Sequence, residues 1–83
     1  MPYIPREDRP EAAHHPVNAG ELTFAMTMLV INYIRRKGLR YQTLCEVQGA
    51  LACTSQEVYR RVIAPYEDRA AERNGDVYGG PGL

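Results

Sequence analysis

The sequence has little of what usually staples or charges a small protein. It has two cysteines, Cys45 and Cys53. On one helix they would stand about 12 Å apart at about 1.5 Å per residue. A disulfide needs Cα atoms within about 7 Å, so the pair is excluded, and free, buried thiols in a reducing compartment are expected. His14 and His15 are the two histidines. No thiol or acid sits at ligand spacing with them on a shared element, which excludes the common metal sites. Gly79-Gly80-Pro81-Gly82 lacks the strand and helix that make a phosphate-binding loop. The longest apolar run, Met28 to Ile31, is far short of the roughly 20 residues that span a bilayer. The opening MPYIPREDRP carries no apolar leader core, so a cytoplasmic location is expected.

Net charge is missing too. Ten Lys+Arg balance ten Asp+Glu, which argues against gripping nucleic acid by bulk charge. Lys37 is the one lysine. Arginine suits bidentate recognition of carboxylate or phosphate better than lysine does. No histidine lies in the helical region to serve a cysteine as base. Consecutive acids such as Glu67-Asp68 read as a solvated face or as arginine partners. No enzyme activity, cofactor or metal is therefore expected.

What is present is helical periodicity. Residues 1–17 hold Pro2, Pro5, Pro10 and Pro16 and read as an extended arm, with room for one helical turn at Arg6–Arg9. Residues 20–37 read as a long helix. Leu22, Ala25, Met26, Leu29, Val30, Tyr33 and Ile34 recur at steps of three and four. Asn18 is the expected cap, Glu21 suits the first turn, Arg35, Arg36 and Lys37 the last, and Gly38 the stop. Phe24, Met28 and Ile31 lie off that stripe, so the helix is apolar on a second side and wants a second partner.

Residues 42–64 read as one further helix on Leu44, Val47, Leu51, Ser55, Val58 and Val62, continuous past Thr54-Ser55. Gly49 in its middle costs about 1 kcal/mol against alanine, which suggests another backbone passing close. Pro65 should end or kink this helix. A short helix follows over 66–73, stopped by Asn74-Gly75, and a tail over 74–83. The link at Lys37–Tyr41 is short, so the long helices should lie antiparallel. The expected fold is all-α, a single domain over 1–83: a two-helix hairpin with a short third helix and an extended arm. With 83 residues such a core is thin, and a homo-oligomeric bundle, dimer or tetramer, would complete it.

The chemistry-bearing stretch is Tyr59-Arg60-Arg61 through Tyr66-Glu67-Asp68, with Tyr3, Arg6 and Arg9 as a looser counterpart in the arm. Arginine can fork onto phosphate and tyrosine can stack on a base. Tyr59, Arg60, Arg61, Tyr66, Tyr3, Arg6 and Arg9 are thus the candidate ligand-binding residues. The structural alternative pairs Arg60 and Arg61 with Glu67, Asp68, Glu7 or Asp8 and packs the tyrosines.

A set of motifs also carries a resemblance. It comprises Met-Pro-Tyr-Ile at 1–4, Glu7-Asp8-Arg9, Gly20-Glu21-Leu22, Gly38-Leu39 with Tyr41, Val47 with Gly49, Glu57 with Tyr59-Arg60-Arg61, Ala64-Pro65-Tyr66-Glu67-Asp68, and Asn74-Gly75-Asp76-Val77-Tyr78. Together they resemble a family of short proteins of phages, prophages and bacterial genomes, over nearly the whole chain up to Tyr78. The His-Pro-containing segment Glu11–Val17 and the added Gly79–Leu83 depart from the pattern. Small helical phage proteins include oligomeric sponges that sequester the cyclic nucleotide signals of bacterial immunity. Size, setting and residue types raise the same role here.

Three readings are open. The first is a helical oligomer that sequesters a small anionic nucleotide, such as a cyclic dinucleotide. The second is a protein-interaction or structural module whose Phe24, Met28 and Ile31 dock on a host or phage protein. The third is nucleic-acid contact through Arg35, Arg36, Lys37 and Arg40, a cluster that helix capping also explains.

Overall fold

The computed structural model describes residues 3–79; what the sequence suggests for residues 1, 2 and 80–83 lies outside them. Every regular element is helical among the described residues. A 3₁₀ turn at Arg6–Asp8 leads into α1 (Arg9–Ala12). Then come α2 (Ala19–Lys37), α3 (Tyr41–Val58), a π-helical turn (Tyr59–Ile63) and α4 (Ala64–Asn74). The chain divides into two units, Met1–Val47 and Gln48–Leu83.

In the first unit the helical turn expected at Arg6–Arg9 forms and runs on to Ala12, so the arm is not extended there. Its prolines bracket a short helix instead of preventing one. Pro5 precedes the 3₁₀ turn and Pro10 sits in the first turn of α1, where a missing N–H breaks no helical bond. Ala12 of α1 is buried, α1 packs on α2, and Phe24 of α2 is buried as well. Thr23 and Thr27 turn their hydroxyls onto the carbonyls of Ala19 and Thr23, at 2.9 and 2.8 Å. Each hydroxyl thus finds its acceptor within the helix.

The ends of α2 follow the local chemistry. Asn18 Oδ1 accepts from the Glu21 amide at 2.8 Å, and Glu21 Oε1 accepts from the Val17 amide at 3.1 Å. The first bond satisfies a donor that the first turn leaves open, and the second ties down the chain just before the cap. Three basic residues fill the last turn, and Gly38 closes it at φ 101°. That backbone conformation strains any residue with a Cβ. After the turn, the Tyr33 hydroxyl donates to the Glu46 carboxylate at 2.5 Å, and Thr43 at the start of α3 is buried.

The second unit corrects two boundaries. The helix expected over 42–64 does not end at Pro65, and the short helix expected over 66–73 is not separate. Helical backbone runs on through the π turn into α4. The Ala64 amide donates to the Tyr59 carbonyl, five residues back. The widened turn makes room for the Pro65 ring, which in a regular helix meets the carbonyl four residues earlier. Asn74 is the last residue of α4 and Gly75 follows at φ 92°. The Tyr78 amide donates to Asp76 Oδ1 at 2.9 Å, which folds the tail into a turn.

Thr54-Ser55 lies inside α3 without a break. Beside Gly49, by contrast, no atom of the described residues outside its own turn of helix comes within 4 Å of where a Cβ would stand, so none of the described backbone crosses there.

Candidate functional site

The seven candidate residues fall in both units. Tyr59, Arg60, Arg61 and Tyr66 belong to the second, on and just after the π turn, and all four are exposed. A π turn interrupts the regular helical ladder and often marks a functional position. Arg60 Nη2 reaches back to Glu57 at 2.8 Å. That replaces the expected pairing of Arg60 with Glu67 or Asp68. Residues three apart are neighbours on a helix surface, whereas Glu67 lies seven residues on, beyond the widened turn. Both side chains of the pair are exposed, so it contributes only about 0–1 kcal/mol and leaves Arg60 available to a stronger anion.

An open groove of about 570 Å³ runs beside α4 and is closed on one side by the tail. Tyr59 lines it; its other polar walls include Glu67, Asp68 and Asp76. Its charge is therefore acidic, which disfavours a phosphate there. Arg60, Arg61 and Tyr66 are not among its walls.

In the first unit Tyr3 and Arg6 are exposed. Arg9 is half-buried and already engaged through one nitrogen. Its Nε donates to the Ile4 carbonyl at 3.0 Å, and its guanidinium lies 5.9 Å from the centre of the Phe24 ring. One side chain thereby ties the start of the arm to α2, by hydrogen bond and by attraction to the ring face. Arg9 is a strut of the fold. Sequence spacing gave no sign of it, because its partners lie five residues before it and fifteen after.

Outside the seven candidates, Tyr33 and Glu46 form a further polar pair. The hydrogen bond from Tyr33, then that from Gln42, holds the Glu46 carboxyl below its ordinary range. Accepting that bond, the carboxylate pushes the Tyr33 hydroxyl upward in turn, and some loss of water adds to it. Lys37 Nζ lies 6.0 Å from the Tyr33 ring centre. This is an electrostatic latch across the α2–α3 turn, and no reacting group sits beside it.

Cys45 and Cys53 are free, as their spacing requires, but they are exposed and not buried. Among the described residues no three His, Cys, Asp or Glu side chains gather closely enough to hold a metal ion. No helix among the described residues is long and apolar enough to cross a membrane.

Residues 1–77 match the family described as "Domain of unknown function (DUF6899)", and the chain belongs to that family. No curated protein and no solved structure matches it.

Proposed function

We propose, for a chain whose family description carries no activity, that it is a non-enzymatic helical interaction protein working as a homo-oligomer. One observation carries the reading. Both long helices turn large apolar side chains to solvent, among them Leu29, Leu51 and Val58, and Val62 of the π turn does the same, while Ala12 and Phe24 are the buried apolar residues described. Exposed apolar area of that extent marks an association surface. The Tyr33–Glu46 bond holds the start of α3 to the end of α2 and leaves the rest of both helices open to another copy. Copies of the hairpin then complete a bundle. Free cysteines suit a reducing, cytoplasmic setting. The chain covers Phe24 itself and half-buries Met28 and Ile31, which favours the exposed apolar side chains as the docking surface.

Sedimentation equilibrium tests this. The reading requires a mass of at least two chains at micromolar concentration. A mass of one chain at every concentration removes it.

The exposed group at the π turn favours a second reading. Tyr59, Arg60, Arg61 and Tyr66 offer two guanidinium forks and two aromatic faces on one irregular segment. The oligomer would sequester a small anionic nucleotide there, of cyclic dinucleotide type and without turnover. This is the anti-defence role that size, setting and residue types suggest. Calorimetry over a panel of cyclic dinucleotides should give saturable heat, lost in Arg60→Ala or Arg61→Ala variants of unchanged helicity. No heat with any member of the panel ends this reading.

A further inference from the structure

Helix α2 has two apolar faces, and its unit covers one. Phe24 is buried on the covered side, with Met28 and Ile31 half-buried along it. On the other side Leu22, Met26, Leu29 and Tyr33 are 50, 44, 72 and 40% exposed. They follow one another at steps of four, three and four residues, the alternation of a coiled-coil seam. Thr23, Ala25, Val30 and Asn32 flank the seam and carry no charge. Along its middle the seam therefore meets no charge; at its Tyr33 end Lys37 and the Glu46 carboxylate, of opposite sign, stand beside the ring.

Charge sits at the two ends of α2 with opposite sign. Glu21 is in the first turn, and Arg35, Arg36 and Lys37 are in the last. A parallel copy would set the three bases against their own counterparts. An antiparallel copy sets each acidic end against a basic end, twice over, and opposes the helix dipoles favourably. The Tyr33 ring is already fixed by its bond to Glu46. Little side-chain freedom is lost when it becomes an interface residue.

We propose that α2 pairs antiparallel with the α2 of a second copy along this seam. Leu22 then faces the partner's Tyr33, and Met26 faces the partner's Leu29. The two-fold axis passes midway between Met26 and Leu29. This rests on the homo-oligomer reading above and adds to it a face and a direction.

Cross-linking decides the direction. In a Cys45→Ser/Cys53→Ser background, Leu22→Cys and Tyr33→Cys are introduced together. On one helix the two positions are about 16 Å apart, too far for a bond within the chain. Mild oxidation should yield a covalent dimer from the double variant and none from either single variant. A covalent dimer from Leu22→Cys alone means parallel pairing and overturns the proposal. A dimeric mass with no cross-link from the double variant also overturns it, yet leaves the homo-oligomer reading standing. A mass of one chain at every concentration overturns both.

Met26→Arg/Leu29→Arg gives a second test that needs no sulfur chemistry. Both positions are exposed, so helicity should persist. The dissociation constant of the dimer should rise about a hundredfold, as for hot-spot residues. An unchanged constant overturns the proposal.

Discussion

Up to Val47 the chain folds its proline-bracketed arm onto α2 and covers Phe24; from Gln48 on, helix follows helix end to end, and no described residue is buried. Both units carry large apolar side chains at helical spacing. What differs is whether the unit holds a second element that can lie alongside. A short helix with alanine at its contact, pinned by one arginine, is enough for the first unit. The second has a glycine-bearing helix of the kind that is marginal in water by itself. Apolar patterning thus specifies which side of a helix wants cover. It does not specify what supplies the cover.

The sharpest way to break the comparison is to remove matched apolar side chains from the two units. Phe24→Ala should cost about 3 kcal/mol or more, as buried aromatic truncations do. Val62→Ala should cost under about 1 kcal/mol in the dissociated chain, as exposed changes do. Urea unfolding followed by circular dichroism measures both. Equal costs would mean that the second unit hides its apolar face as well as the first.

Next in size is the strut. Arg9→Ala loses the bond to the Ile4 carbonyl and the contact with Phe24, together about 1–2 kcal/mol. Arg60→Ala loses only an exposed pair and should change stability by less than about 1 kcal/mol. The cap comes third: Asn18→Ala should cost about 1 kcal/mol.

Gly49→Ala tests the open side of α3. With nothing within 4 Å of its Cβ position, alanine should stabilise the dissociated chain by about 0.5–1 kcal/mol. A loss of stability that grows with protein concentration would place another copy against that glycine.

The smallest effect is on pH. Glu46 is held low by Tyr33 and Gln42, so its contribution is present above the unfolded carboxyl value. It is lost as pH falls through the depressed folded value. Tyr33 is raised by the same bond, so its contribution is present below the ordinary value near 10 and is lost as pH rises through the raised one. Tyr33→Phe should flatten both limbs of a plot of melting temperature against pH.

The ends of α2 were legible because cap, charge and stop are local: Asn18, Glu21 and Gly38 act within one turn. Beyond the turn at Arg6–Arg9, the arm was not, and neither was the course of the chain at Pro65. Proline reads as a breaker, and whether it breaks depends on where it falls. At Pro10 it lands in a first turn, and at Pro65 a π turn opens ahead of it. The division of labour between the faces of α2 was hidden too. Both faces are apolar, and the side with fewer aliphatic residues is the one that the arm covers. In the candidate site, the exposure of Arg60, Arg61, Tyr59 and Tyr66 agrees with a surface role. The role of Arg9 was out of reach, because a cation over an aromatic ring leaves no periodic mark. The Arg60–Glu57 pair was readable at its spacing of three, and the more distant acids drew attention from it.

The central claim is that copies cover what the chain leaves bare. Amide hydrogen exchange of residues 48–74, followed against protein concentration, tests it most directly. Protection there should be weak in dilute solution and rise as the mass passes that of one chain, because a helix without a partner opens readily. Strong protection in a solution of single chains, unchanged on concentration, would contradict the account.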